Sequence, residues 1–312
     1  MPGTTIRVLS WNLFHGRDGL PGLGPDPGSL LCGRPVDDGV HLHLNRKLWD
    51  AMAARIAAWA PDLCGLQEVS LAGLRAIVAR TGMRAVWTTT GPLIGTARLR
   101  DALAARNPDL WRSHESNANA LLAGPRVRLV PGTRRSVRLN PTRAILLGAA
   151  RGEIGAGERA HNQPEPRRAV MARVGLPDGA RLAAACAHCH NARDPRLTGQ
   201  EIARAAAAVR ALGAGGPAVL AGDLNAGPGH PALAALAREG WSAARPAPGV
   251  GIDRILARGL EVVEPERALP ASEREVHMTW RGRRRRVRLS DHDPVEAVLR
   301  VSGSRAAPPA AR

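Results

Sequence analysis

Carboxylate, amide and imidazole side chains of this sequence recur at the ends of short apolar runs that are typical of β-strands. They are Asn12, Glu68, His188, Asp223 and Asn225 after such runs, and Asp291 and His292 just before the last run. Strand ends are where layered sheets build ligand sites, because the loops there are exposed but rigidly anchored. The sequence therefore predicts that these side chains line one cleft.

The oxygen atoms among these side chains favour a hard divalent cation. Glu68, Asp223 and Asp291 supply carboxylates, and Asn12 and Asn225 add neutral carboxamide oxygens. Such a set suits Mg²⁺ or Mn²⁺, which one or two carboxylates usually hold together with substrate phosphate oxygens. Histidines beside such an ion can transfer protons and contact an anion. These residue types thus indicate metal-assisted attack of water on phosphorus.

Strand-length apolar runs alternate with helical patterns, which favours one α/β or α+β domain packed in layers. Helical spacing predicts helices at Leu48–Trp59, Leu71–Arg80, Gln200–Leu212 and Pro231–Glu239. The predicted strands are Ile6–Trp11, Leu63–Val69, Asn119–Ala123, Arg126–Val130, Ala144–Leu147, Ala169–Leu176, Leu182–His188, Ala218–Leu224, Ile252–Ala257 and Val295–Val301.

Three segments differ from this pattern. Residues 16–45 carry seven glycines and four prolines, which predicts an irregular insert or lid, and residues 148–166 are similar. The small, polar and Pro-rich residues 302–312 are expected to form a disordered tail. We expect residues 1–301 to form a single catalytic domain.

Six short segments, in register, resemble the endonuclease/exonuclease/phosphatase superfamily, whose best-known member is DNase I. They are Ser10-Trp11-Asn12, Leu66-Gln67-Glu68-Val69, Ala187-His188, Gly222-Asp223-Leu224-Asn225, Ile252-Asp253-Arg254-Ile255-Leu256 and Ser290-Asp291-His292-Asp293-Pro294-Val295. The resemblance runs from residue 6 to residue 299. It implies a DNase I-like α/β fold, a four-layer sandwich in which two mixed β-sheets lie face to face and are flanked by helices.

The resemblance also implies metal and water-activating roles. Glu68 is the implied main Mg²⁺ ligand, supported by Asn12 and Asp291. Asp223 and Asn225 are implied to position or deprotonate the attacking water and to hold the phosphate.

Further catalytic and substrate-binding roles follow from the same resemblance. His292 is implied as the base or the transition-state contact, and His188 as a second imidazole on the phosphate. Asp253 would orient one of these histidines by accepting its N–H. Asn119, on a strand similar to the family's GNALLS segment, and Arg168, at a basic position that faces the site in many members, are implied substrate-binding residues.

The sequence departs from the family pattern at several points. Ala118 stands where the family usually has glycine, and Ala187-His188-Cys189 replaces its usual Thr-His-Leu. The chain contains no tyrosine, so the active-site tyrosine of some DNA-cleaving members has no counterpart. These departures bear on the substrate more than on the chemistry.

Some of these residues have alternative interpretations. A buried Asp253 could pair with a neighbouring arginine such as Arg254 or Arg258. Cys186, His188 and His190 alternate, so in an extended strand they would share one face and could form a soft-metal site. His15 could line the cleft or be a solvated loop residue.

The run Arg281–Arg288 contains six arginines just before Ser290-Asp291-His292. It could grip a phosphate backbone at the rim of the cleft. It could equally be a solvated hairpin tip between the predicted strands Val276–Trp280 and Val287–Leu289. Trp280 could stack on a base, but core packing is the expected role of this side chain.

Composition narrows the class of protein further. The 312 residues carry 44 basic and 27 acidic side chains, a net charge of +17, but only one lysine. This arginine bias is typical of GC-rich genomes, which weakens the charge as evidence for a polyanionic partner. No apolar run is long enough for a membrane span, and the N-terminus lacks the features of a secretory signal, so we expect a cytoplasmic protein. The four cysteines fit neither a disulfide scaffold nor paired zinc knuckles.

Together these features predict a Mg²⁺-dependent phosphoester hydrolase, with Mn²⁺ as a possible substitute. A phosphodiesterase or nuclease acting on nucleic acid is the favoured form. The alternative is a phosphatase or phosphodiesterase of a small or lipid phosphoester, of the inositol phosphate or sphingomyelin type. A catalytically idle nucleic-acid-binding protein is the third interpretation. No obligate protein partner is inferred.

Overall fold

The structure of the protein, a computed structural model, describes residues 3–18, 36–44, 47–90, 117–141, 146–147, 150–152, 166–192, 194–242 and 249–301. The strands are β1 (Thr5–Asn12), β2 (Val36–Asp37), β3 (Leu42–His43), β4 (Leu63–Val69), β5 (Arg84–Thr89), β6 (Ala118–Ala123), β7 (Arg128–Leu129), β8 (Arg135–Arg138), β9 (Arg168–Gly175), β10 (Arg181–His188), β11 (Ala218–Asp223), β12 (Asp253–Arg258), β13 (Glu261–Ala268), β14 (Glu275–Trp280), β15 (Arg283–Arg288) and β16 (Val295–Arg300). The helices are α1 (Trp49–Trp59), α2 (Leu71–Thr81), α3 (Pro195–Leu212), α4 (Pro231–Arg238) and the short α5 (Ala271–Arg274), with a 3₁₀ turn at Phe14–Gly16.

Two six-stranded sheets form the centre of the molecule. The first has the order β13–β16–β1–β4–β6–β5, and the second has β12–β11–β10–β9–β7, with β8 also pairing with β9. β1 runs parallel to β4, and β10 runs parallel to β11. The remaining neighbours in these sheets are antiparallel, so both sheets are mixed.

Side chains of the sheets alternate between separate cores. On β1, Ile6 and Val8 lie in the core between the two sheets, whereas Leu9 and Trp11 lie in the core beneath α1 and α2. A third core joins the outer face of the second sheet to α3 and α4. The order helix, sheet, sheet, helix confirms the four-layer DNase I-like sandwich expected from the sequence.

Local capping fixes where α2 leaves the first sheet. The side chain of Ser70 accepts a hydrogen bond from the backbone N–H of Gly73 at 3.0 Å, which caps the helix directly after β4. Gly82, with a φ of 68°, ends the helix in the left-handed conformation that favours glycine. The cap therefore anchors the chain two residues beyond Glu68.

No helix among the residues described is long and apolar enough to cross a membrane.

Most predicted elements lie within a few residues of their expected bounds, but the sheet edges differ. The strands β5, β8 and β13 were not expected. β13 carries exposed charged residues and a proline on an edge, so it lacks the alternation that marks a half-buried strand. Leu146 and Leu147 are helical and exposed, so the predicted strand Ala144–Leu147 is wrong there; residues 144–145 lie outside the described residues.

The predicted irregular segments are only partly described. Within the insert predicted at 16–45, residues 36–44 form the small β2–β3 hairpin, while residues 19–35 lie outside the described residues. Most of 148–166 and all of 302–312 also lie outside them.

Candidate active site

Strand polarity brings most of the predicted site residues to one edge of the sandwich. The parallel strands β1 and β4 both end there, with Asn12 and Glu68 at their ends. In the second sheet β10 and β11 are also parallel, and their last pair is His188 opposite Asp223. Four strands from two sheets thus deliver four polar side chains to one place.

Antiparallel strands complete this edge because they begin where their neighbours end. Asp253 opens β12 directly opposite Asp223. Asp291 and His292 lie just before β16, which runs antiparallel to β1. This arrangement explains why the motifs near the end of the chain meet those near its start.

Asn12 links the two sheets at the centre of the site. Its Nδ2 donates to Glu68 Oε1 at 3.2 Å and to Asp223 Oδ2 at 3.1 Å. Its Oδ1 accepts from the backbone N–H of Phe14 at 3.0 Å. In this orientation the amide nitrogen faces the carboxylates, so ligation of a metal by the Asn12 oxygen requires the amide to turn over.

Asp253 and His292 form a close pair. Asp253 Oδ2 lies 2.7 Å from His292 Nδ1, which turns the other ring nitrogen, Nε2, towards Asp223 Oδ2 at 3.8 Å and Asp291 Oδ1 at 4.0 Å. Asp253 therefore orients His292, while Arg258, one of the two alternative partners, donates to the Glu239 carbonyl at 3.2 Å. Arg254 is buried and pairs instead with Glu266.

His188 lies between the carboxylates and an arginine. Its Nε2 is 3.5 Å from Asp223 Oδ2 and 3.8 Å from Glu68 Oε1. Arg167 Nη1 lies 3.2 Å from His188 Nδ1 and 3.1 Å from Nε2. One nitrogen this close to both ring nitrogens cannot hydrogen-bond to both in the ring plane, so the guanidinium packs against the ring face.

Short polar contacts hold the loops around this cluster. The Asn225 backbone N–H donates to Asp223 Oδ1 at 3.1 Å, and Asn225 Nδ2 donates to the Cys189 carbonyl at 2.9 Å. Ser290 Oγ donates to the Asn12 carbonyl at 2.7 Å and accepts from the His292 backbone N–H at 3.1 Å. Both loops are therefore tied to the strands that carry the site.

The backbone around the cluster is strained. Phe14, His15, Glu68 and Asn225 have φ values of 42°, 54°, 51° and 49°. Non-glycine residues rarely adopt this left-handed conformation, which costs on the order of 1–3 kcal/mol and concentrates at functional sites. Four such residues at one edge of the sandwich support its functional role.

Burial and charge shift the pKa values of the ionisable groups. Burial raises the pKa of Asp223 and, together with the charge of Asp223, raises the pKa of Asp253 to about 7. Burial also raises the pKa of Asp291. Burial lowers the pKa of His188 well below its usual value, and the charge of Arg167 adds to this effect.

His292 has the opposite balance. Burial lowers the pKa of His292, but the hydrogen bond that its Nδ1–H donates to Asp253 and the charges of Asp253, Asp223 and Asp291 outweigh that penalty. They raise the pKa of His292 to about 10. The two histidines therefore carry different charges at neutral pH: His188 is neutral and His292 is protonated.

The donor set of the site fits a divalent cation. Glu68 and Asp223 share the Asn12 Nδ2 contact, and Asp223 and Asp291 both lie within 4.0 Å of His292 Nε2. Mg²⁺ prefers such carboxylate oxygens as ligands. Asp223, Asp253 and His292 also offer ligand atoms within 4.8 Å of one another. Because Asp253 and His292 hydrogen-bond to each other, we regard these two as an orienting pair rather than as ligands.

Two predicted substrate-binding residues lie beside the cluster. Asn119, on β6, is fully buried, and its Nδ2 donates to the Arg168 carbonyl at 2.7 Å. The Arg168 guanidinium donates to Ser136 Oγ at 3.4 Å. The structure therefore brings Arg167, rather than the Arg168 side chain, against His188.

Two contacts of the site involve residues outside the predicted catalytic, metal and substrate-binding sets. His15 is buried, and its Nε2 lies 3.1 Å from Glu68 Oε2, so the interpretation as a solvated loop histidine is wrong. The second contact is made by Arg167. The sequence pointed to this position only through the adjacent Arg168, which was the predicted substrate-binding residue. The soft-metal alternative is not supported, because Cys186 lies in the core between the sheets and accepts from Gln67 Nε2 at 3.1 Å.

Comparisons with solved structures agree with the fold. An endonuclease/exonuclease/phosphatase family protein from Bacteroides thetaiotaomicron has a TM-score of 0.60 at 15% identity, covering 96% of this chain and 98% of that one. The human nocturnin catalytic domain with a bound sulfate anion has a TM-score of 0.58 at 15% identity, covering 95% and 94%. A mannosyl-6-phosphatase from Bacteroides thetaiotaomicron has a TM-score of 0.58 at 15% identity, covering 94% and 99%. No curated protein matches the sequence.

The sequence also matches a family model over nearly its whole length. The model of the Endonuclease/Exonuclease/phosphatase family covers residues 9–292, from within β1 to His292. Members of this family hydrolyse phosphoester bonds and generally depend on a divalent metal. This chain belongs to the Endonuclease/Exonuclease/phosphatase family and is a phosphoester hydrolase.

Proposed function

We propose that this hydrolase is a Mg²⁺-dependent phosphodiesterase that acts on nucleic acid. The observation that carries the proposal is the placement of two histidines within 4.0 Å of a set of carboxylates. Glu68, Asp223 and Asp291 supply the carboxylates, and His188 and His292 supply the imidazoles. Such a site can bind a metal ion, activate water and contact a phosphate at once.

In this proposal Glu68 and Asp291 hold the ion, with Asn12 in support. Asn12 Nδ2 and His15 Nε2 contact the two oxygens of Glu68 and fix the orientation of its carboxylate. When bound, Mg²⁺ supplies Lewis-acid polarisation of a phosphoryl oxygen and neutralises charge that builds up in the transition state.

Asp223 is the group best suited to orient and deprotonate water. It is buried, and the Asn225 backbone N–H holds Oδ1 while Asn12 contacts Oδ2. Burial raises the pKa of Asp223, which brings its basicity closer to that needed at neutral pH.

His292 carries a proton in this scheme. The Asp253 carboxylate holds Nδ1, so Nε2 is the nitrogen that faces the cleft and can donate to a phosphoryl or leaving-group oxygen. The Nε2 atom of neutral His188 lies 3.5 Å from the same Asp223 oxygen, Oδ2, and the guanidinium of Arg167 contacts the His188 ring, so that both can contact the phosphate.

Nucleic acid is the substrate that the charge favours, because the chain carries a net +17 and an exposed arginine hairpin close to His292. The related structures support phosphate chemistry without choosing a substrate. The nocturnin domain binds sulfate, which has the tetrahedral geometry of phosphate, and the mannosyl-6-phosphatase is named for a small phosphoester. Because of the similarity to the mannosyl-6-phosphatase, a small phosphoester is the alternative substrate.

The test measures hydrolysis of plasmid DNA, single-stranded RNA and bis(4-nitrophenyl) phosphate. Each substrate is incubated with the protein in Mg²⁺, in Mn²⁺ and in EDTA. We expect EDTA-sensitive cleavage of at least one polynucleotide, and its loss in Glu68→Gln. The matched control is Glu239→Gln, which changes an exposed glutamate after α4 in the same way.

The outcomes separate the substrate classes. Turnover of the small diester with intact plasmid and RNA would contradict the nucleic-acid proposal but keep the metal-dependent chemistry. Cleavage that persists in EDTA or in Glu68→Gln would contradict the proposed metal site. Absence of turnover on all three substrates, with a folded protein, would contradict the phosphodiesterase proposal.

A further inference from the structure

A basic hairpin lies beside the active site and has no part in the chemistry described above. β14 and β15 pair antiparallel from Glu275 opposite Arg288 to Trp280 opposite Arg283. Arg281 and Gly282 form the two-residue turn, with φ values of 47° and 74°. Asparagine or glycine is favoured at the first turn position, so the backbone of an arginine there is strained. An arginine at this position is therefore not explained by the stability of the turn.

The two faces of this hairpin differ. Val276 and Val287 lie directly opposite each other, and with Trp280 they pack against the core beneath α1 and α2. This confirms the expected packing role of Trp280. The opposite face carries the exposed side chains of Thr279, Arg284 and Arg286. We call this second face, together with the exposed residues Arg281–Arg283 at the tip of the hairpin, the arginine face.

Several arginines of the hairpin are used within the fold. Arg285 pairs with Asp37 on the β2–β3 hairpin at 2.5 Å. Arg286 lies 3.6 Å from Glu275, and Arg288 lies 3.4 Å from Asp293. These pairs anchor the hairpin and reduce its net charge.

Three other arginines remain uncompensated. Arg281, Arg283 and Arg284 are exposed, and no acid within the described part of the chain forms an ion pair with them. The Arg281 guanidinium lies over the Trp280 ring at 5.9 Å, which leaves its charge facing solvent. The tip of the hairpin is therefore the part with free positive charge.

The hairpin leads directly into the catalytic cluster. β15 ends at Arg288, and Ser290, Asp291 and His292 follow within four residues. From Arg284 to the end of β15 at Arg288 the strand spans about 13 Å, at roughly 3.3 Å per residue. Arg284 and Arg286, on one face, are about 6.7 Å apart, close to two 3.4 Å steps along a nucleic-acid strand.

We infer that the arginine face binds the phosphate backbone of a polynucleotide and guides it into the cleft at His292. The inference rests on the proposed function and names the surface that selects a polymeric substrate. Anionic membranes also attract arginines, but surface binding usually adds apolar insertion. Among the described residues, Met278 is the one large apolar side chain of the hairpin that is exposed, and it is exposed to only 37%, so a nucleic acid is favoured.

The experiment compares two triple variants that remove equal charge. The hairpin variant is Arg281→Asn, Arg283→Gln and Arg284→Gln, in which asparagine suits the left-handed turn position. The control variant is Arg80→Gln, Arg84→Gln and Arg181→Gln. These control arginines are exposed, and they lie at the end of the sandwich opposite the site, where α2 ends and β5 and β10 begin.

Binding of fluorescein-labelled 20-nucleotide DNA, single-stranded and duplex, is measured by anisotropy in EDTA between 50 and 200 mM salt. Each lost phosphate contact lowers the slope of log K against log salt by about 1. We expect the hairpin variant to bind about tenfold or more weakly at 50 mM salt, with a slope smaller by about 2–3. We expect the control variant to bind like the wild type.

Catalytic and membrane readouts keep the inference separate from the proposed function. We expect the ratio of plasmid to bis(4-nitrophenyl) phosphate turnover to fall in the hairpin variant and to stay unchanged in the control variant. Equal DNA binding by the two triple variants, or no DNA binding by the wild type at 50 mM salt, would overturn the inference. If the hairpin variant lost binding to phosphatidylserine vesicles but kept wild-type binding to DNA, the inference would be overturned in favour of a membrane surface. Absence of all EDTA-sensitive turnover would instead overturn the proposed function, while the binding comparison remains decisive for the hairpin.

Discussion

Asp253 Oδ2 lies 2.7 Å from His292 Nδ1, although the two residues are 39 positions apart in the chain. The contact forms because β12 begins opposite the end of β11, which places Asp253 at the site. His292 lies just before β16, which runs antiparallel to β1 and therefore begins at the same edge. The contact fixes which ring nitrogen faces the cleft. It also stabilises the protonated imidazole, since an acceptor at Nδ1 favours the charged form.

We expect Asp253→Asn to lower kcat by about 10- to 100-fold, because loss of a partner that orients a catalytic histidine has this size of effect. His292→Ala should cost about 10²- to 10⁴-fold, the range for losing a proton donor or acceptor. Because both changes disable one unit, the double variant should be scarcely worse than His292→Ala. Steady-state kinetics on the most active of the three substrates measures this.

The control for this comparison is Asp50→Asn on the exposed side of α1. If the effects of Asp253→Asn and His292→Ala simply multiply in the double variant, the two residues act independently and the pairing has no catalytic role.

Glu68 is expected to dominate binding of the divalent ion. A ligand that binds only the folded state at 100 times its Kd stabilises it by about 2.7 kcal/mol, which corresponds to a rise in Tm of roughly 5 °C for a protein of this size. We expect Mg²⁺ to raise the Tm of the wild type and of Glu239→Gln, and to leave that of Glu68→Gln unchanged. Differential scanning fluorimetry with and without EDTA measures this. An equal rise in Tm in all three proteins would show that the ion binds at a site without Glu68.

Arg167 and Arg168 are expected to differ in function despite being neighbours. Arg167 packs on the face of His188 within 3.2 Å, whereas the Arg168 side chain reaches Ser136. We therefore expect Arg167→Gln to reduce kcat/KM by about tenfold or more, since a charge-assisted contact of roughly 1.5–3 kcal/mol is lost. Arg168→Gln should stay within about twofold of the wild type.

A larger loss in Arg168→Gln than in Arg167→Gln would support the sequence-based expectation that Arg168 binds substrate. Circular dichroism of both variants is the necessary control, because the Arg168 backbone carbonyl anchors buried Asn119.

The contrast between Arg167 and Arg168 illustrates how far the sequence predicts this site. Residues within strands, such as Asn12 and Asp223, take their positions from strand polarity, which apolar runs and short motifs reveal. Arg167 directly precedes β9, and which of two adjacent arginines turns inward depends on where that strand begins. Such boundaries are set by tertiary packing. The sequence therefore predicts that a basic residue of this region faces the site, but not which of the two arginines it is.

Edge strands show the same limit within the fold. β4 was predicted with its observed bounds, because it is central and buried throughout most of its length. β13 is mostly exposed, contains a proline and pairs with β16 through shifted registers. Its strand conformation comes from pairing with β16 rather than from its own pattern, and only the assembled sheet reveals it.

Glu201 gives a prediction about stability and pH. It is fully buried on α3, and its Oε2 accepts from the His190 backbone N–H at 2.7 Å. Burial raises the pKa of Glu201 from 4.5 to about 7, against the opposing charge of Arg167. The folded protein thus holds this proton more tightly than the unfolded chain. The contribution to stability is therefore fully present below pH 4.5 and is lost as the pH rises to about 7.

We expect Glu201→Gln to remove this loss, because a neutral glutamine keeps the acceptor for His190 without ionising. Relative to the wild type, the variant should gain roughly 3 kcal/mol in unfolding free energy between pH 4.5 and pH 7.5. Urea unfolding at both pH values measures this, with Glu239→Gln as the exposed control. A wild-type-to-variant difference that is the same at both pH values would show that the carboxyl does not titrate in this window.

Gly222 connects the fold to the site most directly. It precedes Asp223 on β11 and pairs with Ala187 on the parallel strand β10, with a φ of 154°. A Cβ atom at this position would lie 1.9 Å from the Ala187 carbonyl oxygen, and since that atom belongs to a buried strand it cannot move aside cheaply. The close approach is what brings Asp223 beside His188.

We expect Gly222→Ala to destabilise the protein by about 3 kcal/mol or more, because a main-chain clash in a central strand forces β10 and β11 apart. The control is Gly227→Ala, where a Cβ meets no atom within 4 Å; its unfolding free energy should stay within about 0.5–1 kcal/mol of the wild type. Urea unfolding measures both variants, and kcat measured at a temperature where Gly222→Ala is still folded reports the displacement of Asp223. Wild-type stability in Gly222→Ala would mean that the two strands do not approach as described, and the motif would then need its glycine for another reason.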